Sequence, residues 1–299
     1  MTSVGKDGRV LPLPRCAQAS LAVDNDPAGS SSSFRSFLLI TDPGGWGKKA
    51  GDDAVREQLD PFAAQWVESN RAGLRAFAIR PVGSRRAANR RGFLAGRVEA
   101  AGGITAFAEA PSAAELESVV TGTASGDPID GPLIAVCTNG TRDRCCALLG
   151  RPIARRLAAE LGGDRVTEIS HLGGHRFAGT LVVLPWGYSY GFLDPDSAAR
   201  IAEDAARGLV HPRQLRGRAD LSPVAQAAEI AWRRELGPAA PDAVVVTDEH
   251  TEGAGSLVTG LVGGRTESLK MRYLPGPTID GTACGGKPFG TGRWFAELG

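Results

Sequence analysis

Long apolar runs and an excess of charge of either sign are both missing from this sequence of 299 residues. Lysine and arginine number 34 against 33 aspartates and glutamates, so a net charge of +1 gives no long-range field that would attract nucleic acid or a membrane surface. No run of roughly eighteen apolar residues is present to span a bilayer, and no shorter apolar run of a signal peptide follows the basic residues near the N-terminus. The sequence therefore predicts a cytoplasmic protein that binds neither nucleic acid nor a membrane.

Cysteine and histidine are scarce, with five and four residues, and an odd cysteine count does not resemble the disulfide framework of a small secreted protein. Most of these residues fall in one stretch, 137–175. Cys137 and Cys146 lie nine positions apart, His171 and His175 lie four apart, and each pair follows a predicted β-strand. The stretch is therefore a candidate metal site with four ligands.

Two segments of the chain repeat one order of predicted elements, and they align at an offset of about 95 residues, which indicates an internal duplication. The first segment has a strand at 37–40, a helix at 53–69, strands at 74–79, 92–98 and 104–108, and a helix at 112–120. The second has a strand at 133–136, a helix at 147–161, strands at 165–169, 177–184 and 188–193, and a helix at 196–208.

The repeat predicts an α/β fold of two tandem halves, each β-α-β-β-β-α and close to a thioredoxin-like core, plus a small C-terminal α+β appendage. The first half contains no histidine, and Thr41 and Ala50 stand where the second half has Cys137 and Cys146. The first half is therefore expected to share the fold without carrying the site. The predicted domains are 1–125, 126–214 and 215–299.

Thiolates and imidazoles are ligands that zinc, copper and iron–sulfur centres share, so the spacing has to distinguish among them. Structural zinc sites usually take ligands about two to four residues apart, whereas eight residues separate Cys137 from Cys146. The longer loop favours a larger group, such as a [2Fe–2S] cluster. Two glycines between His171 and His175 permit positive φ angles, so that both rings can turn toward one centre. Two Cys on one iron and two His on the other is the ligand set of Rieske centres.

The two motifs resemble those of the sucrase/ferredoxin-like family, a branch of the thioredoxin-like [2Fe–2S] ferredoxins. The resemblance rests on C-T-N-G-T-R-D-R-C-C at 137–146 and H-L-G-G-H-R-F-A at 171–178. Supporting likenesses are P-G-G-W-G at 43–47, the upstream Cys16, and R-G-R followed by Q-A-A-E within 216–229. The resemblance implies a [2Fe–2S] cluster held by Cys137, Cys146, His171 and His175.

The function that the resemblance implies is one-electron transfer, in an electron carrier rather than a stand-alone enzyme, with an unidentified redox partner protein. Because a ligand imidazole can gain a proton when its iron becomes more electron-rich, reduction is expected to be proton-coupled. Cys145 falls where family members often have another residue, so either Cys145 or Cys146 is the second thiolate.

Two other functions stay open at this point. A thiol–disulfide oxidoreductase of thioredoxin-like fold would use cysteines near the end of the first strand, although its usual C-x-x-C pattern is replaced here by adjacent cysteines. A zinc-stabilised Cys2His2 binding module would use the same four ligands without redox chemistry. Charged residues near the ligands are candidates for supporting roles, namely Arg142, Asp143, Arg144 and Arg176. The basic run at 85–91 is a candidate docking site for an acidic electron donor or a solvated surface patch.

Overall fold

The computed structural model describes residues 16–83, 92–124, 127–129, 131–280 and 288–297, together with the short paired strands β1 (Ser3–Val4) and β2 (Val10–Leu11). This part of the chain is a mixed α/β fold with seven α-helices, a ten-stranded sheet and a four-stranded sheet. The predicted α/β class is confirmed. The basic run at 85–91 and Cys284 lie outside the described residues.

The first half departs from the predicted pattern in its long helix, which is two helices. Asp60 accepts hydrogen bonds from the backbone N–H groups of Phe62 and Ala63 at 2.8 and 3.1 Å, and Pro61 takes the first helical position. An N-cap followed by proline begins a new helix, so the single helix predicted over 53–69 is wrong. The elements are α1 (Cys16–Leu21), β3 (Ser36–Thr41), α2 (Ala50–Gln58), α3 (Pro61–Ser69), β4 (Leu74–Pro81), β5 (Phe93–Arg97), β6 (Ile104–Phe107), α4 (Ala113–Thr121) and β7 (Asp127–Ile129).

The second half follows the predicted order, with its first long helix beginning at Arg144 instead of position 147. This earlier start places Cys145 and Cys146 in the first helical turn. Asp194 caps the last helix of this half, since its side chain accepts from the Ser197 N–H at 2.7 Å. The elements are β8 (Leu133–Cys137), α5 (Arg144–Leu161), β9 (Val166–Ile169), a 3-10 helix (His175–Phe177), β10 (Leu181–Leu184), β11 (Tyr188–Tyr190), α6 (Pro195–Ala206) and β12 (Leu215–Arg218).

The ten-stranded sheet has the order β12-β11-β10-β8-β9-β4-β3-β5-β6-β7, so the strand order of one half repeats in the other. In each half the first strand is parallel to the second and antiparallel to the third, and the third is antiparallel to the fourth. The halves meet where β4 and β9 run antiparallel, with Ile79 opposite Ile169. Arg80 and Glu168 form a largely buried ion pair of 2.8 Å at this junction. The two halves therefore share one continuous sheet.

Successive side chains of each strand point to opposite faces of the sheet and form two separate apolar layers. On β8, Ile134 and Val136 pack with residues of α5 and α6, whereas Ala135 and Cys137 point to the other face. The second layer also contains residues of β3 and β4 from the first half, including Phe37. The cluster that surrounds Cys137 is therefore built by both halves of the chain.

The C-terminal region forms an antiparallel four-stranded sheet covered by one helix. Trp232 and Ala228 of the helix are buried against Val244, Val258 and Met271 of the sheet. The elements are α7 (Pro223–Leu236), a 3-10 helix (Pro241–Ala243), β13 (Val244–Glu252), β14 (Gly255–Val262), β15 (Arg265–Ile279) and β16 (Phe289–Ala296). None of the helices in the described segments combines the length and apolar character needed to cross a membrane.

Candidate metal centre

The predicted ligands gather at one edge of the large sheet. Cys137 is the last residue of β8 and lies opposite Ile169, the last residue of the parallel strand β9. His171 follows two residues later, and Cys146 occupies the first turn of α5. The carboxyl ends of adjacent parallel strands are a common location for ligand sites, because the loops that leave them converge.

The loop between Cys137 and α5 is fixed by a turn and by the first half of the chain. The Asn139 side-chain oxygen accepts hydrogen bonds from the Thr141 and Arg142 N–H groups at 3.1 and 3.3 Å, a turn typical of asparagine. Its amide nitrogen donates to the Gly47 carbonyl at 2.9 Å, and Arg142 donates to the Lys48 carbonyl at 2.8 Å. The P-G-G-W-G segment at 43–47 therefore adjoins and supports the cysteine loop.

Gly150 allows α5 to approach the end of β8 closely. A Cβ atom at this position would collide with the carbonyl oxygen of Cys137. Gly150 is buried, and it lies one helical turn after Cys146 on the same side of α5. The small residue therefore permits the close approach of α5 that brings the second thiol to the first.

The Cys137 and Cys146 side chains are in contact and nearly inaccessible, at 1% and 2% exposure. A hydrogen bond from the Cys146 thiol, supplemented by contacts from His171 and the Leu172 N–H, holds the pKa of Cys137 well below its ordinary range. Donation of that hydrogen bond, together with burial, raises the pKa of Cys146. Cys137 is therefore the more acidic of the two thiols.

The histidine loop turns through two consecutive left-handed residues, as the glycines predict. Gly173 and Gly174 have φ angles of 74° and 71°. The Ser32 hydroxyl donates to the Leu172 carbonyl at 2.7 Å, and Arg216 donates to the Gly173 carbonyl at 3.1 Å. Groups from the segment before β3 and from β12 thus hold the loop on which His171 and His175 are placed.

Asp143 lies between the two imidazoles. Its carboxylate oxygens are 3.8 Å from Nδ1 of His171 and 3.6 Å from Nδ1 of His175, both longer than a hydrogen bond. Nδ1 of His171 and Nε2 of His175 are buried without a hydrogen-bond partner among the described residues. Burial is the main cause of a lowered pKa of His175. The imidazole of His175 is therefore neutral near pH 7, as a metal ligand must be.

The four side chains form a chain of contacts, from Cys146 to Cys137 to His171, and through Asp143 to His175. Within the described residues, no three His, Cys, Asp or Glu side chains are arranged to hold a metal ion. A mononuclear zinc site needs its donors around a single point, whereas a two-iron cluster takes two donors at each iron. Two thiols in contact and two buried, unpartnered ring nitrogens match that paired requirement.

Cys145 and Cys146 point into different surroundings. Cys145 is fully buried in a small cluster with Ala17 of α1 and Ala178. Cys146 belongs to the larger apolar cluster that contains Cys137. Cys146 is therefore the thiol that faces the first predicted ligand, and Cys145 packs α5 against α1.

The buried Arg216 is a site residue that the sequence did not single out beyond its place in the R-G-R likeness. It lies on β12, is 1% exposed, and contacts the histidine loop. Among the predicted supporting residues, Asp143 and Arg176 lie at the site, with the Arg176 guanidinium 4.7 Å from the Phe177 ring centre. Arg144 is exposed. The sequence around Arg216 has no apolar periodicity that would indicate its burial. The burial arises from contacts with residues that are distant in the chain.

A basic cleft opens beside His171. A cavity of about 90 Å³ is lined by His171, Lys48, Lys49, Arg75 and Arg142, and it adjoins a cavity of about 440 Å³ that shares the last three of these residues. Burial, reinforced by Arg142, lowers the pKa of Arg75. The lining residues gather several positive charges here, and Asp52 is a carboxylate that lines both cavities.

At the corresponding edge of the first half, Thr41 and Ala50 hold the equivalent positions. Thr41 ends β3 and Ala50 begins α2, the places that Cys137 and the first turn of α5 occupy in the second half.

A family model described as sucrase/ferredoxin-like matches residues 25–217. The match includes both halves of the large sheet up to β12, and it contains the cysteine and histidine motifs. No curated protein and no solved structure matches the chain.

Proposed function

The chain belongs to the sucrase/ferredoxin-like family, and we propose that it is an iron–sulfur electron-transfer protein with a [2Fe–2S] cluster on Cys137, Cys146, His171 and His175. The observation that carries the proposal is the pairing of donors: two thiols in contact beside two imidazoles with buried, unpartnered nitrogens. An unpartnered buried polar atom costs free energy, so a native fold retains it where it has a use.

A thioredoxin-like architecture for each half belongs to the same proposal. Its support is the strand order, in which the first strand of each half lies between a parallel second and an antiparallel third strand. A short 3-10 helix between β9 and β10 occupies the place of a middle helix. The division into domains at 1–125, 126–214 and 215–299 stays a prediction.

The residues of the chain have distinct roles in this proposal. Cys137 and Cys146 supply thiolates, His171 binds through Nδ1 and His175 through Nε2, the nitrogens that lack partners. Asp143 lies near Nδ1 of His175, where a carboxylate orients a ligand ring and stabilises a proton on the nitrogen remote from the metal. A bound [2Fe–2S] cluster supplies one-electron chemistry.

The protein exchanges electrons with a redox partner protein. We place the docking site of that partner at the basic cleft beside His171. The imidazole is 18% exposed at its side chain, whereas the thiols are inaccessible. Lys48, Lys49 and Arg142 at the mouth would attract a partner that presents clustered carboxylates. This cleft replaces the run at 85–91 as the proposed docking site because its residues adjoin a proposed ligand.

A thiol–disulfide oxidoreductase is the second candidate, since Cys137 has a depressed pKa and contacts a second thiol. Attack by a thiolate requires access, and both sulfurs are almost fully buried, which favours ligation over exchange.

Purification without oxygen tests the three possibilities together. The proposal expects visible charge-transfer absorption, with iron and acid-labile sulfide in equal amounts. Colourless protein containing zinc would support the binding module. Colourless, metal-free protein with an oxidisable Cys137–Cys146 pair would support the oxidoreductase. Wild-type protein reconstituted with iron and sulfide is the control against loss of the cluster during preparation.

A further inference from the structure

Arg216 is a buried charged residue whose hydrogen-bond acceptors are all neutral. Its Nε donates to the Ser30 hydroxyl at 3.1 Å, one terminal nitrogen donates to the Gly173 carbonyl at 3.1 Å, and the other donates to the Ser30 carbonyl. None of these acceptors carries a charge, and no ion pair with a described carboxylate accompanies them. The side chain is nevertheless 1% exposed.

An unpaired charge is costly to bury, so a compensating negative charge is expected nearby. Burial, with a smaller contribution from Arg176, lowers the pKa of Arg216 to about 10, and the Cys137 and Cys146 sulfurs oppose the decrease. Arg216 therefore stays protonated near pH 7. The groups whose negative charge it faces are the Cys137 and Cys146 sulfurs in their thiolate form, the form that binds a metal.

We propose that Arg216 is the counter-charge of the cluster site and raises its reduction potential. The inference rests on the proposed function, because a potential exists only if the cluster does. With two thiolates and two neutral imidazoles, a [2Fe–2S] cluster is formally neutral when oxidised and has one negative charge when reduced. A fixed positive charge stabilises the reduced state relative to the oxidised one. The electron comes from a one-electron donor protein, and no bond forms or breaks.

The same residue is a positioning residue for the histidine loop. Its hydrogen bond to Gly173 holds the turn between His171 and His175, and a Cβ at Gly174 would collide with its guanidinium. Loss of Arg216 would therefore alter both charge and loop geometry. The test must separate these two effects.

Arg233 provides a matched control for burial alone. It is also fully buried, but its charge is neutralised by Glu229, with Nε 3.1 Å from the carboxylate. It also donates to the hydroxyl of Tyr188 at 2.5 Å. Arg216 and Arg233 thus share size, charge and burial, and they differ in whether a carboxylate pairs with them.

The experiment is a redox titration of the full chain with mediators under anaerobic conditions, followed by visible absorption and by the paramagnetic resonance signal of the reduced cluster. Arg216→Met is expected to shift the reduction equilibrium toward the oxidised state at least tenfold, which is about 59 mV for a one-electron couple. Arg216→Lys keeps the charge and should restore most of the potential. Arg233→Met should leave the potential of any folded protein unchanged.

A second pair of variants changes the charge while keeping Arg216. Ser30 is only half-buried, so Ser30→Asp can place a carboxylate beside the guanidinium and neutralise it. Ser30→Asp should lower the potential in the direction of Arg216→Met, while the neutral, similarly shaped Ser30→Asn should not. This pair decides the question even if Arg216→Met does not fold.

The outcomes separate the two proposals. An intact cluster whose potential is unchanged in both Arg216→Met and Ser30→Asp overturns the role of Arg216 and leaves the electron-transfer function standing. Where Arg216→Met does not fold, an unchanged potential in Ser30→Asp overturns it alone. A wild-type chain that holds no cluster after reconstitution overturns the proposed function, and the role of Arg216 with it. A lowered potential in Ser30→Asp but not in Ser30→Asn supports the counter-charge.

Discussion

The ring of Phe289 packs edge-on against the imidazole of His175, with ring centres 6.1 Å apart and ring planes at 83°. Phe289 begins β16, so the C-terminal sheet contacts the candidate metal centre from outside the family match at 25–217. The Arg176 guanidinium is 5.7 Å from the centre of the same ring. The C-terminal sheet therefore covers one side of the histidine loop.

Phe289→Ala is expected to accelerate loss of the cluster. Removing the ring opens His175 to water and lets a chelator approach its ligand nitrogen. Bleaching of visible absorption in excess chelator should be severalfold faster than in the wild type. Phe295→Ala is the control, because Phe295 lies on the same strand with 38% exposure. Equal bleaching rates in the two variants would show that Phe289 does not shield the site.

Serine replacements of the adjacent cysteines should have opposite results. Cys146 contacts Cys137, whereas Cys145 packs with Ala17 and Ala178. Cys146→Ser should abolish the cluster or shift its absorption strongly. Cys145→Ser should retain the cluster and lose some stability, since it places a hydroxyl in an apolar cluster. Iron and sulfide content measures loss of the cluster, and urea unfolding measures loss of stability. Retention of an unaltered cluster in both variants would mean that the ligand assignment is wrong.

Local sequence patterns predict the helices and strands well, because these elements depend on residues that are close together in the chain. The apolar runs of β3 and β8 are buried, and the glycines at 173 and 174 have the positive φ angles expected of them. Long-range pairings leave no such signal. The junction of β4 with β9, the extra edge strand β12 and the burial of Arg216 all depend on segments distant in the chain.

The candidate site likewise has features that local sequence predicts and features that it does not. Residue type and spacing predict its four ligands, and the structure brings the side chains of these residues into a chain of contacts. The sequence does not indicate Phe289, because it lies in the predicted C-terminal appendage and contacts His175, which is distant in the chain. The apolar periodicity within 53–69 continues across the point where one helix ends and the next begins, so periodicity alone predicts a single helix. Asp60–Pro61 is the signal of an N-cap followed by proline that marks the second helix.

Glu229→Gln should destabilise the attachment of α7 to the large sheet. The Glu229 carboxylate accepts from the Tyr188 hydroxyl at 2.5 Å and from Arg233 at 3.1 Å, and Arg218 lies 3.8 Å away. Neutralising it leaves buried arginine charge uncompensated, which costs about 3–5 kcal/mol of the free energy of unfolding. Urea denaturation measures the change. Glu235→Gln on the exposed side of the same helix should stay within about 0.5 kcal/mol; a similar small loss for Glu229→Gln would contradict the role of the buried network.

Charge at the basic cleft should select anionic electron carriers. The probes are hexacyanoferrate(III), an anion, and hexaammineruthenium(III), a cation, each reacting with the reduced protein by outer-sphere transfer. Arg75→Gln with Arg142→Gln should slow the anion and not the cation, and added salt should reduce the wild-type preference. The control removes the same charge at two exposed positions of α5 and α6, Arg155 and Arg200. Equal slowing in both double variants would mean that the oxidant responds to net charge and does not enter beside His171.

Reduction should take up a proton if the imidazoles bind iron as proposed. The remote N–H of a ligand imidazole is more acidic while its iron is oxidised, so above the pKa of that state each electron brings a proton. The midpoint potential should then fall as pH rises, approaching about 59 mV per pH unit. His211→Gln is the control, because Nδ1 of His211 is hydrogen-bonded to Asp204 at 2.7 Å, outside the ligand set. A midpoint potential that stays constant between about pH 6 and 9 would exclude proton coupling by these histidines.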